Sequence, residues 1–192
     1  MLAKVKSIAV FGIDAYLLDI EVYIATGDLP YIAIVGLPDT AVKESRDRVK
    51  AAVNNSGYRF PYNPMTINLA PADRKKEGPV FELPIAVGIL IATNQIEIPD
   101  IQDYAIVGEL SLDGKLRPVK GCLSMALKCK ELGIKKFLVP SENASEAAIV
   151  DGIDVIPVKT LEDTVGILTK SISAISQKIK PEDVFKESAG YD

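Results

Sequence analysis

The first third of the chain alternates between apolar and polar positions. Leu18, Ile20, Val22 and Ile24 repeat at period two within residues 16–25, which predicts a half-buried strand. Residues 5–11 form a second candidate strand before it. After the turn signal Thr26-Gly27-Asp28, residues 31–35 form a third. Gly36-Leu37-Pro38-Asp39 breaks this pattern, and the period becomes helical. Val42, Val49 and Val53 share a stripe, with Asp39 or Thr40 as N-cap and Gly57 in the C-terminal cap position. A strand over 65–69 leads into a charged loop over 70–79. Residues 82–93 then read as a buried helix, apolar on nearly every face, with Pro84 tolerated in its first turn.

The second half alternates element types. Strands are predicted over 104–110 and 115–119, joined by a hairpin turn at Asp113-Gly114. A helix over 122–132 ends at Gly133 and is followed by a strand over 136–139. Asn143 and Glu146 have capping-box spacing ahead of a short helix. A strand over 153–158 precedes a last amphipathic helix, opened by Thr160 and Asp163 and running to about Ser173. The mixture of hairpins and β-α-β units predicts an α/β (α+β) domain over 1–175, with a polar linker over 176–192.

Composition narrows the chemistry. A length of 192 residues fits one domain, and a net charge of −4 excludes a uniformly basic nucleic-acid coat. No apolar run is long enough to span a bilayer and no signal-peptide pattern opens the chain, so a cytoplasmic protein without membrane contact is expected. The sequence has no histidine, which removes the usual zinc and Ser-His-Asp sites. A carboxylate-based metal loop is also missing, so no metal site is expected. Cys122 and Cys129 lie about 10.5 Å apart along a helix axis at 1.5 Å per residue. That is too far for a disulfide, and both are expected to pack as small apolar residues.

Three segments carry a family resemblance. They are Ala33-Ile34-Val35-Gly36-Leu37-Pro38-Asp39-Thr40-Ala41-Val42-Lys43-Glu44-Ser45; Asn68-Leu69-Ala70-Pro71-Ala72-Asp73, with Lys76-Glu77-Gly78-Pro79 and Phe81-Glu82-Leu83-Pro84-Ile85-Ala86; and Gly108-Glu109-Leu110-Ser111-Leu112-Asp113-Gly114-Lys115-Leu116-Arg117-Pro118-Val119, with Val139-Pro140-Ser141-Glu142-Asn143. In this order the chain resembles the N-terminal Lon-protease-like domain of the ComM/YifB family, magnesium chelatase-like AAA+ ATPases. The resemblance implies a Lon-protease-like, ribosomal protein domain-2-like fold, with a mixed sheet and a left-handed β-α-β crossover. It also implies a following ATPase module that uses ATP and magnesium, a homo-hexameric full-length protein, and DNA as substrate in branch migration, natural transformation or recombination. Residues 1–192 contain no Gly-x-x-x-x-Gly-Lys-Ser/Thr phosphate cradle. The polar tail is expected to lead toward that module, and no cofactor is expected on this stretch.

Lon-type proteases pair a serine with a lysine base of depressed pKa. By the resemblance, the serine position follows Glu77-Gly78-Pro79 and is Val80, and the lysine position is Leu123. Neither side chain carries a reactive atom, so no catalytic residue is assigned. A divergent peptidase would need Cys122 with Lys120 as nucleophile and base. A magnesium chelatase accessory subunit is the other alternative, although that likeness rests mainly on the ATPase module. For binding, the basic run Arg74, Lys75 and Lys76 beside a helix start is the nucleic-acid candidate, against a solvated loop balanced by Asp73 and Glu77. Lys43, Arg46, Arg48 and Lys50 interleave with Glu44 and Asp47, which predicts a solvated helix face.

Overall fold

The computed structural model describes residues 1–27 and 29–179. The predicted alternation appears as a seven-stranded mixed sheet with helices on both faces. Its strands are β1 (Leu2–Phe11), β2 (Asp14–Ile24), β3 (Ile32–Val35), β4 (Met65–Ala70), β5 (Tyr104–Ile106), β8 (Lys136–Pro140) and β9 (Asp154–Val158). Their order across the sheet is β3-β4-β2-β1-β5-β8-β9. β1 is antiparallel to β2, and β2 to β4. The remaining neighbours are parallel. A separate two-stranded ribbon pairs β6 (Glu109–Leu110) with β7 (Leu116–Arg117).

Alternation along the strands divides the core in two. Val5, Ala9, Leu18, Ile20 and Val22 face a cluster closed by α1 (Thr40–Asn55), α2 (Glu82–Ala92) and α5 (Leu161–Leu168). Ile8 points the other way, into a cluster under α3 (Cys122–Glu131) and α4 (Ala144–Ala147). The antiparallel half is covered in full on one face and only in part on the other, where Val10, Ala15 and Leu17 pack toward α3. Its other face carries Asp19, Glu21 and Asn68, tied by Asn68 Nδ2 donating to Glu21 Oε2 at 2.8 Å and by the Lys4–Asp19 ion pair at 2.9 Å. β2 reads as a clean alternation because from Tyr16 to Val22 every second residue is buried and those between are only half-buried, whereas β5, buried at all three positions, does not.

Local capping rules account for the starts of α1 and α5. Asp39 caps α1, its Oδ1 accepting from Val42 N at 2.7 Å, and Thr160 caps α5 by accepting from Asp163 N at 2.9 Å. Three expectations are corrected. The strand expected over 104–110 breaks after Ile106, because Gly108 leaves the sheet to bond the start of α2: its N–H donates to Val80 O at 2.9 Å and its carbonyl accepts from Leu83 N at 3.0 Å. The last helix ends at Leu168 rather than near Ser173. Lys170 turns to φ 62 and Ile172 N bonds back to Gly166 O. Asn143 and Glu146 form no capping box. Asn143 instead brackets the Val119 backbone through two 2.8 Å bonds, and Glu146 accepts from Leu123 N at 2.9 Å. Both side chains thus serve the start of α3, a neighbour only in space. Residues 180–192 of the expected linker lie outside the described residues. Gln177 within it pairs with Val155 on β9.

Candidate functional site

The loop between β4 and α2 brings together most of the segments behind the family resemblance. It zips onto the Gly36-Leu37-Pro38-Asp39 turn. Lys76 N donates to Leu37 O at 3.0 Å, and Asp39 N donates to Lys76 O at 2.9 Å. Asp39 also accepts from Gly78 N at 3.2 Å, so one carboxylate orders both the helix start and the loop. Gly36 makes this approach possible. Its φ is 98°, and a Cβ there would sit 2.2 Å from the Leu69 carbonyl oxygen.

Within this loop the structure separates the predicted basic run. Arg74 is exposed, and its guanidinium lies 4.7 Å from the centroid of the Tyr16 ring. Lys75 is also exposed and pairs with Glu77 at 2.9 Å, a surface pair that exchanges readily for another anion. Lys76 is a correction. It is fully buried, and its ammonium donates to the Pro71 carbonyl, closing the loop on itself. Burial holds its pKa below the ordinary lysine value, against the opposing pull of Asp73. Lys76 therefore shapes the loop from inside and has no surface with which to meet a phosphate. The Tyr16 hydroxyl completes the anchoring by donating to Lys75 O at 3.1 Å.

The two positions that the resemblance matches to Lon's serine and lysine lie in different surroundings. Val80 lies in a 3-10 turn (Pro79–Phe81) and packs against both core clusters, including the one that contains Val119 and Cys122. Leu123, in the first turn of α3, is 37% exposed. Cys122 is buried, and desolvation, reinforced by Glu146, pushes its thiol up to about 12. Lys120 is exposed and carries no thiolate-stabilising contact among the described residues. Cys129 is likewise buried, free and pushed up to about 12 by desolvation.

A buried ionic cluster beside this loop was missed by sequence reasoning. Glu82, fully inaccessible, accepts from Ser45 Oγ at 2.9 Å, Arg48 Nε at 2.6 Å and Leu110 N at 2.8 Å. Desolvation raises its pKa, and these three donors partly offset that rise. Arg48 was expected on a solvated face. It instead turns inward, because a carboxylate on an otherwise apolar helix must find a partner. The sequence carried two signals: one acid opening a helix that is apolar all round, and Ser45 filling the gap between Val42 and Val49 in the apolar stripe of α1.

Comparisons with known proteins place the chain in a family. A family model described as subunit ChlI of Mg-chelatase matches residues 20–143, the stretch that contains the loop and the Gly36-Leu37-Pro38-Asp39 turn. The chain belongs to this magnesium chelatase-like family. It is 47% identical over 149 residues to the protein YifB of Salmonella typhimurium, covering 78% of this chain and 29% of YifB. It is 40% identical over 167 residues to the competence protein ComM of Haemophilus influenzae, covering 87% of this chain and 32% of ComM. Lon protease 2 of Bacillus subtilis is 29% identical over 177 residues, covering 83% of this chain and 31% of that protein. The chain thus spans about a third of the length of these relatives. No helix among the described residues is long and apolar enough to cross a membrane.

Proposed function

We propose that this chain is a non-catalytic module of a YifB/ComM-like, magnesium chelatase-related AAA+ ATPase, and that it helps the motor engage DNA. The observation that carries the reading is the chemistry at the two Lon-type positions. Val80 and Leu123 offer no nucleophile and no base, and the neighbouring Cys122 thiol is buried and protonated at neutral pH. The peptidase mechanism has lost its reacting atoms on a chain that keeps its likeness to Lon. In this reading ATP hydrolysis, magnesium and hexamer formation belong to the remainder of the longer protein, in the cytoplasm. The chain itself contributes the Arg74 and Lys75 loop, two cations on a backbone fixed by Tyr16, Lys76 and Asp39.

A salt titration followed by fluorescence anisotropy tests this, using duplex and branched DNA. Binding should weaken with salt, with a slope of roughly −0.9 per phosphate contacted. Changing Arg74 and Lys75 together to alanine should reduce that slope by about two. Absence of binding at low salt would remove the DNA role from this chain and leave it as a structural element of the motor.

A further inference from the structure

The β1–β2 hairpin ends in two exposed apolar side chains, Phe11 at 64% and Ile13 at 91%. Such a tip has no role in the core. Gly12, with φ 63, occupies the first central position of the two-residue turn, where a type II′ hairpin requires glycine. The turn is therefore a tight, built feature. Phe11 is paired with Asp14, and strand alternation puts Phe11, Asp14 and Tyr16 on one side of the hairpin. On that side they share a cleft of about 410 Å³ with Asp73, Arg74 and Lys75.

The lining has a particular chemistry. The Phe11 ring is open to solvent, whereas Tyr16 is buried and covered by the Arg74 guanidinium. Arg74 makes no hydrogen bond or ion pair among the described residues, so its donors are unspent. Asp14 and Asp73 repel phosphate, which confines anionic groups to the Arg74 and Lys75 rim and leaves the centre to an uncharged planar group. An exposed aromatic face next to fixed cations is the combination that binds single-stranded nucleic acid, with the base on the ring and the phosphate on the cations. The geometry points to this cleft as a stacking site for one nucleotide of single-stranded DNA, with Phe11 as the platform. The inference rests on the DNA reading proposed above. It adds that the hairpin selects unpaired strand, since a base inside a duplex has no free face to offer.

The test uses the 192-residue chain, which lacks tryptophan. Phe11→Ala should weaken oligo(dT) binding roughly 5- to 150-fold. The salt slope and the duplex affinity should stay unchanged, because no cation is removed. Phe11→Trp should bind as the parent does, and its emission, the sole tryptophan signal, should be quenched as oligo(dT) saturates. Thymidine monophosphate serves as the second arm; quenching at concentrations similar to those of the strand would assign the cleft to free nucleotide and overturn the strand proposal. Equal oligo(dT) affinity of Phe11→Ala and the parent, with salt-dependent duplex binding intact, would overturn the stacking site and leave the DNA reading standing. Failure of every DNA to bind would overturn both.

Discussion

Removing Arg48 isolates the energetics of the buried cluster. In the native chain Glu82 is wholly inaccessible, while the Arg48 side chain is 31% exposed, so the pair bridges the interior and the surface. Arg48→Ala leaves an ionised carboxylate in the core with only Ser45 Oγ and Leu110 N as donors. Breaking a buried pair from one side typically costs about 3–5 kcal/mol. Because water reaches the Arg48 side and can partly replace the guanidinium, the lower end, ~3 kcal/mol at pH 7, is expected here. For a domain of this size that corresponds to a fall of about 6–12 °C in Tm. The effect has a definite pH sign. Glu82 already titrates above its ordinary value of 4.5, and losing Arg48 raises it further. A raised carboxylate pKa means that the folded state holds the proton more tightly. The variant therefore recovers stability as pH falls toward 4.5, and loses it as pH rises through the folded-state pKa. Urea unfolding of parent and variant at pH 7 and pH 5 measures this directly, and Glu82→Gln combined with Arg48→Ala should restore roughly 1–3 kcal/mol at pH 7. A loss below about 1 kcal/mol at pH 7, or an equal loss at both pH values, would refute the view that Glu82 is a buried charge held by Arg48.

Other expectations follow from the same contacts. Gly36→Ala should destabilise by at least ~2 kcal/mol in chemical denaturation, from the left-handed φ and the collision with the Leu69 carbonyl. Gly12→Ala, with open space around it, should lose only about 1 kcal/mol. Cys122 and Cys129 should resist a chromogenic disulfide reagent at pH 8 and react when the chain is unfolded in guanidinium; rapid labelling of the native chain would contradict their burial and raised pKa. Lys76→Met should lower DNA affinity by loosening the loop but leave the salt slope unchanged, whereas Arg74→Ala should reduce that slope by about one. An equal reduction of the slope in both would mean that the Lys76 ammonium reaches the surface.

The sequence by itself determined the elements and much of their facing. Period-two apolar spacing specified β2, and a capping aspartate, a valine stripe and a terminal glycine bounded α1. These signals are local, since each is set by the backbone within a few residues. Read by identity alone, Val80 and Leu123 carry no nucleophile and no base. Tertiary structure decided which polar side chains are available. Arg74, Lys75 and Lys76 look equivalent along the chain, yet the loop folds Lys76 inward to the Pro71 carbonyl and leaves the other two outside. Arg48 looks solvated until the neighbouring helix presents Glu82 to it, 34 residues away. Asn143 and Glu146 have the spacing of a local cap and spend it on α3 instead. Phe11 gained its place beside Arg74 only when the hairpin and the loop before α2 met across the sheet. Apart from Lys76, whose acceptor lies five residues back in its own loop, the deciding partner is distant in sequence, and a polar group's partner is chosen by the free energy of burying it, which only the assembled fold sets.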